Sequence, residues 1–173
     1  MALTNKELHR KARKIKLVVL DADGVLSDGS IFYGTFANQD LELKVFHAQD
    51  GFGISRAIGL GIPISVITGR RSRIIQRRGK ELGIREIYQG FEDKLSAYRK
   101  LKRRYQLADE EIAYMGDDAP DLALLKRVGL SAAPKSAVSE VRRLVDYVST
   151  LDGGRGAVRE FIDLILRAQK KIT

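Results

Sequence analysis

The chain has 173 residues, 44% of them hydrophobic and 31% charged, the balance of a folded globular protein rather than a disordered one. It contains no cysteine, which excludes disulfides and thiolate metal sites, so any metal must sit on oxygen ligands or on one of two histidines. The net charge of +9 suits an anionic small substrate. The basic runs at 6–16 and 99–104 lack the interleaved aromatic residues of a base-stacking surface, so no nucleic-acid partner is expected.

The N-terminal stretch "MALTNKELHRKARKIK" is basic but has no apolar segment, so it is not read as a secretory signal, and His9 within it is expected to be solvated. No apolar run approaches the roughly 20 residues a membrane span requires. The expected compartment is the cytoplasm, with no membrane partner. "KLVVLD" (16–21) then reads as a buried strand, and "GSIFYGTFANQDLELKVFHA" (29–48) as a β-hairpin projecting from its end.

Beyond the hairpin, strands and helices alternate. Strands are expected at 62–69, 86–90, 112–118, 128–133 and 147–150, and helices at 50–60, 71–82, 93–105, 119–127, 136–145 and about 155–170. The last carries Val158, Phe161, Ile162 and Ile165 on one face. Apolar strands alternating with amphipathic helices indicate a mostly parallel sheet covered on both faces, a three-layer α/β/α Rossmann-like sandwich. With no linker or low-complexity segment, residues 1–173 are expected to form a single domain.

In such sheets ligands bind beyond the carboxyl ends of the strands. Those ends carry Asp21 and Asp23, then Thr68, Gly69 and Arg70, then Gly90 with Lys94 close behind, then Gly116, Asp117 and Asp118. A buried carboxylate is costly unless it is paired or bound to a metal. A fold built for stability alone has no reason to gather its aspartates on one edge.

The set suits phosphoryl transfer through a covalent aspartyl intermediate. A phosphate monoester repels an incoming carboxylate, so a divalent cation must screen the two, and Mg²⁺ prefers such oxygen ligands. Asp21 would be both nucleophile and metal ligand, Asp117 a second ligand and the carbonyl of Asp23 a third. The Asp23 carboxyl would protonate the leaving alkoxide and later take a proton from water. Thr68 would bind phosphoryl oxygens, and Lys94 would supply positive charge. Behind them stand Asp118 and Asp121, the latter able to hold Lys94 or a water on the metal.

"DADGV" after an apolar strand, "ITGR", a downstream Lys and "GDDAPD" resemble, in order and spacing, the four motifs of the haloacid dehalogenase superfamily. "QDGFGI", "LGIREIYQGFEDK" and "GGRGAVREFIDLILRAQ" extend the likeness to the capless 3-deoxy-D-manno-octulosonate 8-phosphate phosphatases over most of residues 17–170. That resemblance implies a Mg²⁺-dependent phosphatase of lipopolysaccharide inner-core sugar synthesis. It also implies a homotetramer in which hairpins close a central barrel and neighbours help cover each site. A phosphorylated sugar acid as substrate makes Arg70, Arg78 and Arg155 candidate binding residues, with Gly69 beside them. Ala22, Ser27, Gln49 and Lys135 depart from the family pattern, outside the catalytic set.

Other readings are weaker on the residues. Gly51, Gly53 and Gly59 suggest a dinucleotide fingerprint, but the pattern breaks at Arg56. His47 has no partner histidine nearby in sequence and reads as structural. A sialic-acid-type 9-phosphate phosphatase is the nearest alternative, disfavoured by basic Arg70 after Thr-Gly. A non-catalytic scaffold of the same fold would be expected to have lost Asp21 or Asp117, and both are present.

Overall fold

The computed structural model describes residues 4–173, the Asp40 side chain excepted. The first three residues of the basic N-terminal stretch therefore lie outside the described residues. The following residues form helix α1 (Asn5–Ala12), which the sequence reading did not expect. Its start is set by a capping box: the Thr4 side chain accepts from the Glu7 amide, and the Glu7 carboxylate accepts from the Thr4 amide. The T-x-x-E spacing is a legible signal that charge had obscured.

Strand β1 (Leu17–Leu20) is followed by the antiparallel pair β2 (Phe32–Phe36) and β3 (Gln39–Leu43), then by helix α2 (Ala48–Gly59). The chain continues through β4 (Ile64–Thr68), α3 (Arg73–Glu81), β5 (Glu86–Gln89), α4 (Lys94–Tyr105) and β6 (Ile112–Met115). It closes with α5 (Leu122–Leu125), β7 (Leu130–Ala133), α6 (Ser139–Leu144), β8 (Tyr147–Val148) and α7 (Ala157–Ala168). Among the described residues, six strands form one parallel sheet in the order β5-β4-β1-β6-β7-β8.

Side chains of β1 alternate between two cores, as a strand buried on both faces requires. Val18 and Leu20 join Ile54, Phe161 and Ile165 on the side of α1, α2 and α7. Leu17 and Val19 join Tyr98, Leu101, Leu124 and Val141 on the side of α4, α5 and α6. The result is the expected three-layer α/β/α arrangement. The longest helices are 12 residues, and none of those described is long and apolar enough to cross a membrane.

The hairpin stands apart from the sheet, its strands paired from Phe32 opposite Leu43 to Phe36 opposite Gln39. Strand alternation puts Phe32 and Phe36 on one face with their cross-strand neighbours Leu41 and Leu43. All four are exposed, Phe36 by 73%. Tyr33 and Glu42, paired across the strands, belong to the opposite face. That polar face turns back toward the ends of β1 and β4.

Candidate active site

β1 lies between β4 and β6, and the chain runs outward from it to both edges of the sheet. The crevice at such a reversal is where an open α/β sheet binds ligands. Here it is a cleft of about 490 Å³ lined by Asp21, Asp23, Thr68, Lys94, Asp117 and Asp121, among others. Gly69, Arg70, Asp118, Glu92 and Pro120 complete much of its rim.

Asp21 follows the last residue of β1, its amide donating to the Met115 carbonyl at 3.0 Å, and so is fixed by the sheet itself. The next residues make a tight turn. Asp23 is extended (φ −81°, ψ 128°) and Gly24 is left-handed (φ 80°, ψ −7°), the pair of conformations found at the centre of a type II turn. Only glycine fits at position 24 for a second reason. A Cβ there would stand 2.1 Å from Oδ2 of Asp117, so that carboxylate lies directly against the Asp23–Gly24 backbone.

Lys94, at the start of α4, is buried with its ammonium 2.9 Å from Oδ1 of Asp21 and 2.6 Å from Oδ1 of Asp121. Burial alone would push this ammonium down, but Asp21 and Asp121 outweigh it and hold Lys94 above its ordinary value. Asp121 is more heavily committed than the sequence implied. It accepts from the Tyr114 hydroxyl at 2.5 Å and from the amides of Asp117 and Asp118 at 2.9 and 3.3 Å. Tyr114, on β6, was not anticipated, although a buried strand tyrosine always needs a partner for its hydroxyl.

Carboxylate oxygens of Asp21, Asp117 and Asp121 lie within 4.8 Å of one another. Burial first, then the Asp121 charge, raises the carboxyl groups of Asp21 and Asp117 to about 7. Two hard carboxylates pushed this far together, with no thiolate or imidazole among the ligands, fit a Mg²⁺ ion. Asp121 fits it less well as a direct ligand, because both its oxygens already accept hydrogen bonds. Asp118 is exposed and accepts from the Ala119 amide at 2.7 Å, capping the turn that leads into α5.

The Asp23 carboxylate is held from two sides. Oδ1 lies 2.5 Å from Lys44 Nζ, and Oδ2 lies 3.6 Å from Arg70 Nε. Arg70 in turn donates to the Tyr33 hydroxyl of β2 at 2.5 Å. Lys44 was missed by the sequence reading, since a lysine closing a hairpin strand is ordinarily solvated. Its side chain is 0% exposed. Thr68 is buried at the end of β4, where its hydroxyl accepts from the Arg70 amide at 3.3 Å.

The other two candidate arginines are not brought into the cleft of this chain. Arg78 sits in a neighbouring groove with Leu43, Lys44, Phe46, Ile74 and Glu81, its guanidinium 5.8 Å from the Phe46 ring centre. Its Nε is buried without a hydrogen-bond partner among the described residues. Arg155 is exposed and pairs with Asp28 at 3.0 Å. The stretch around Arg155 still reaches the site through its backbone: Gly154 N donates to Val25 O at 2.9 Å. Asp50, in "QDGFG", is buried and accepts from the amides of Gly156 and Arg159, so it caps α7 rather than facing the cleft. Gly51, Gly53 and Gly59 lie within α2.

A family model for haloacid dehalogenase-like hydrolases matches residues 74–162. A 3-deoxy-D-manno-octulosonate 8-phosphate phosphatase of Yersinia pestis is 45% identical over 163 residues, covering 94% of this chain and 86% of the relative. The chain belongs to the haloacid dehalogenase-like hydrolases. The crystal structure of a Yersinia pestis 3-deoxy-D-manno-octulosonate 8-phosphate phosphatase superposes on this hydrolase with a TM-score of 0.92 at 44% identity, over 95% and 88% of the two chains. The same enzyme from Moraxella catarrhalis, solved with magnesium ion, phosphate ion and a KDO molecule, gives a TM-score of 0.92 at 42% identity, over 96% and 94%. The matched model begins after β4, so Asp21, Asp23 and Thr68 of this hydrolase lie outside it.

Proposed function

We propose that this hydrolase removes phosphate from 3-deoxy-D-manno-octulosonate 8-phosphate, with Mg²⁺ as cofactor and Asp21 as nucleophile. The observation that carries the reading is the buried Lys94, which bridges Asp21 and Asp121 while Asp117 rests on the Asp23–Gly24 turn. One side chain thus neutralises the nucleophile without covering it, and the carboxylates around it leave a negative pocket that a cation completes.

Mg²⁺, held by Asp21, Asp117 and the Asp23 carbonyl, would screen the substrate's phosphate and polarise it for attack. Asp21, fixed at the end of β1, attacks phosphorus in line with the departing alkoxide, and an aspartyl phosphate forms. Asp23, carrying a proton on the oxygen that Lys44 does not hold, gives it to the leaving oxygen, then takes one from the water that cleaves the acyl phosphate. Thr68 and the backbone beside Gly69 bind phosphoryl oxygens. Lys94 neutralises charge on Asp21 and on the group in transit. Asp121 works through Lys94 and the amides after β6, and Asp118 shapes the loop. Arg70 reaches the rim where the sugar acid's carboxylate would lie, while Arg78 and Arg155 serve a substrate that extends past this cleft.

The chain is read as one domain working in the cytoplasm. Its cleft is open, and no lid domain is inserted between β4 and β6. The apolar face of Phe32, Phe36, Leu41 and Leu43 supports assembly into a homotetramer whose neighbours complete the cleft wall. The test is a turnover screen over sugar phosphates with and without Mg²⁺. The eight-carbon sugar-acid phosphate should be the best substrate, and chelation should abolish the activity. Absence of phosphate release from every substrate in the presence of Mg²⁺ refutes the reading.

A further inference from the structure

The side chain of Lys44 is fully buried, and its cation is held between the hairpin and the cleft. Its ammonium lies between two carboxylates, Oδ1 of Asp23 at 2.5 Å and Oε1 of Glu42 at 3.3 Å. A buried charge is costly unless paired, and one partner would suffice to pair it. Here the second partner is itself anchored. The Ser72 hydroxyl donates to Oε2 of Glu42 at 2.7 Å, and the Ser72 amide donates to Oε1 of Gln89 on β5 at 2.6 Å. A continuous chain of polar contacts thus runs from the parallel sheet, through the cap of α3 and the hairpin, to the Asp23 carboxylate. Across the cleft mouth a second tether runs from Tyr33 through Arg70 to the other oxygen of the same carboxylate.

The two tethers are unequal. Arg70 is 48% exposed and 3.6 Å from Asp23, whereas Lys44 is enclosed and in direct contact. Without Lys44, Oδ1 of Asp23 keeps, among the described residues, only the Ser27 hydroxyl at 3.4 Å, a weak restraint on a carboxyl that must face a departing oxygen. We infer that Lys44 is a positioning residue for Asp23: it aims the acid–base carboxyl at the leaving group and makes the hairpin part of the catalytic centre. The inference rests on the proposed role of Asp23 in phosphate-ester cleavage.

A misaimed acid is felt in proportion to how much the leaving group needs a proton, which separates this role from a merely structural one. The experiment uses Mg²⁺-loaded enzyme and substituted phenyl phosphates whose leaving phenols span pKa values of about 5 to about 10. The wild type should show a shallow dependence of kcat/KM on phenol acidity. Lys44→Met should steepen it, losing on the order of 10-fold more at the least acidic phenol than at the most acidic one. Lys44→Arg, which restores a cation, should recover most of the shallow slope. Lys44→Gln is carried in parallel, so that a folding defect in Lys44→Met does not decide the outcome. Parallel plots for wild type, Lys44→Met and Lys44→Gln, whether displaced or superimposed, overturn the inference. No phosphate release by the wild type from any aryl or sugar phosphate instead overturns the phosphatase reading beneath it.

Discussion

Gly153 packs so closely on Gly24 that a Cβ at position 153 would stand 1.7 Å from the Gly24 carbonyl oxygen. The loop before α7 is therefore a buttress for the turn that carries Asp23 and receives Asp117. Gly153 is not among the glycines with positive φ, so the clash alone forbids alanine there. Gly153→Ala should cost about 2 kcal/mol by overpacking, or roughly 5 °C in Tm. By shifting the Asp23–Gly24 turn it should also lower kcat by on the order of 10- to 100-fold. Gly59→Ala is the control, because a Cβ at 59 meets nothing within 4 Å. Melting curves and phosphatase assays on both variants check this, and matching behaviour would remove the buttress.

Asp21→Asn keeps the size of the side chain and removes its nucleophilicity. Turnover should fall by on the order of 10⁴-fold or more. The fold should persist, because the change also removes one of the carboxylates crowded beside Asp121. Circular dichroism with a single-turnover assay reads both properties. Activity near that of the wild type would contradict the covalent mechanism.

The raised carboxyl groups of Asp21 and Asp117 set a pH dependence with a definite sign. Each titrates near 3.8 in the unfolded chain and at about 7 in the metal-free fold. Between those values the folded state holds more protons than the unfolded one, so this pair's contribution to stability declines as pH rises through that window. Bound Mg²⁺ pairs the carboxylates and removes the penalty, and protons compete with it at low pH. The Tm increment from millimolar Mg²⁺ should therefore be several degrees at about pH 8 and small at about pH 5. Thermal scans at the two pH values test it. An increment independent of pH would show that the pair does not hold the metal.

The hairpin's two faces make separable predictions. Phe32→Ser with Phe36→Ser alters only the outward apolar face and leaves Tyr33, Glu42 and Lys44 in place. Light scattering should report a tetramer for the native chain and a smaller species for the double variant. Hydrolysis of p-nitrophenyl phosphate should be largely retained, because the chemistry stays on the core. Turnover of the sugar-acid phosphate should drop by about 10-fold or more, because the wall supplied by neighbours is lost. A native chain that is monomeric at micromolar concentration would refute the assembly.

The layers and the edge of the sheet that carries the chemistry were legible from the chain's pattern of residues. Those depend on local rules: short valine-rich apolar runs such as "KLVVLD" read as buried strands, and the carboxyl ends of strands in a parallel sheet share one edge. Asp21, Asp23, Thr68, Lys94, Asp117 and Asp121 could therefore be grouped from the sequence, and all six line one cleft. Pairing across long separations in the chain emerged only from the folded arrangement. Lys44 reaches Asp23, Gly153 presses on Gly24, Asp50 caps α7, and Arg78 points into a different groove from Asp117. None of these has a sequence signal, because a lysine, a glycine pair or an arginine looks the same whether solvated or buried. The difference is set by where the hairpin folds back and where the last loop returns, and those depend on the packing of the whole sheet.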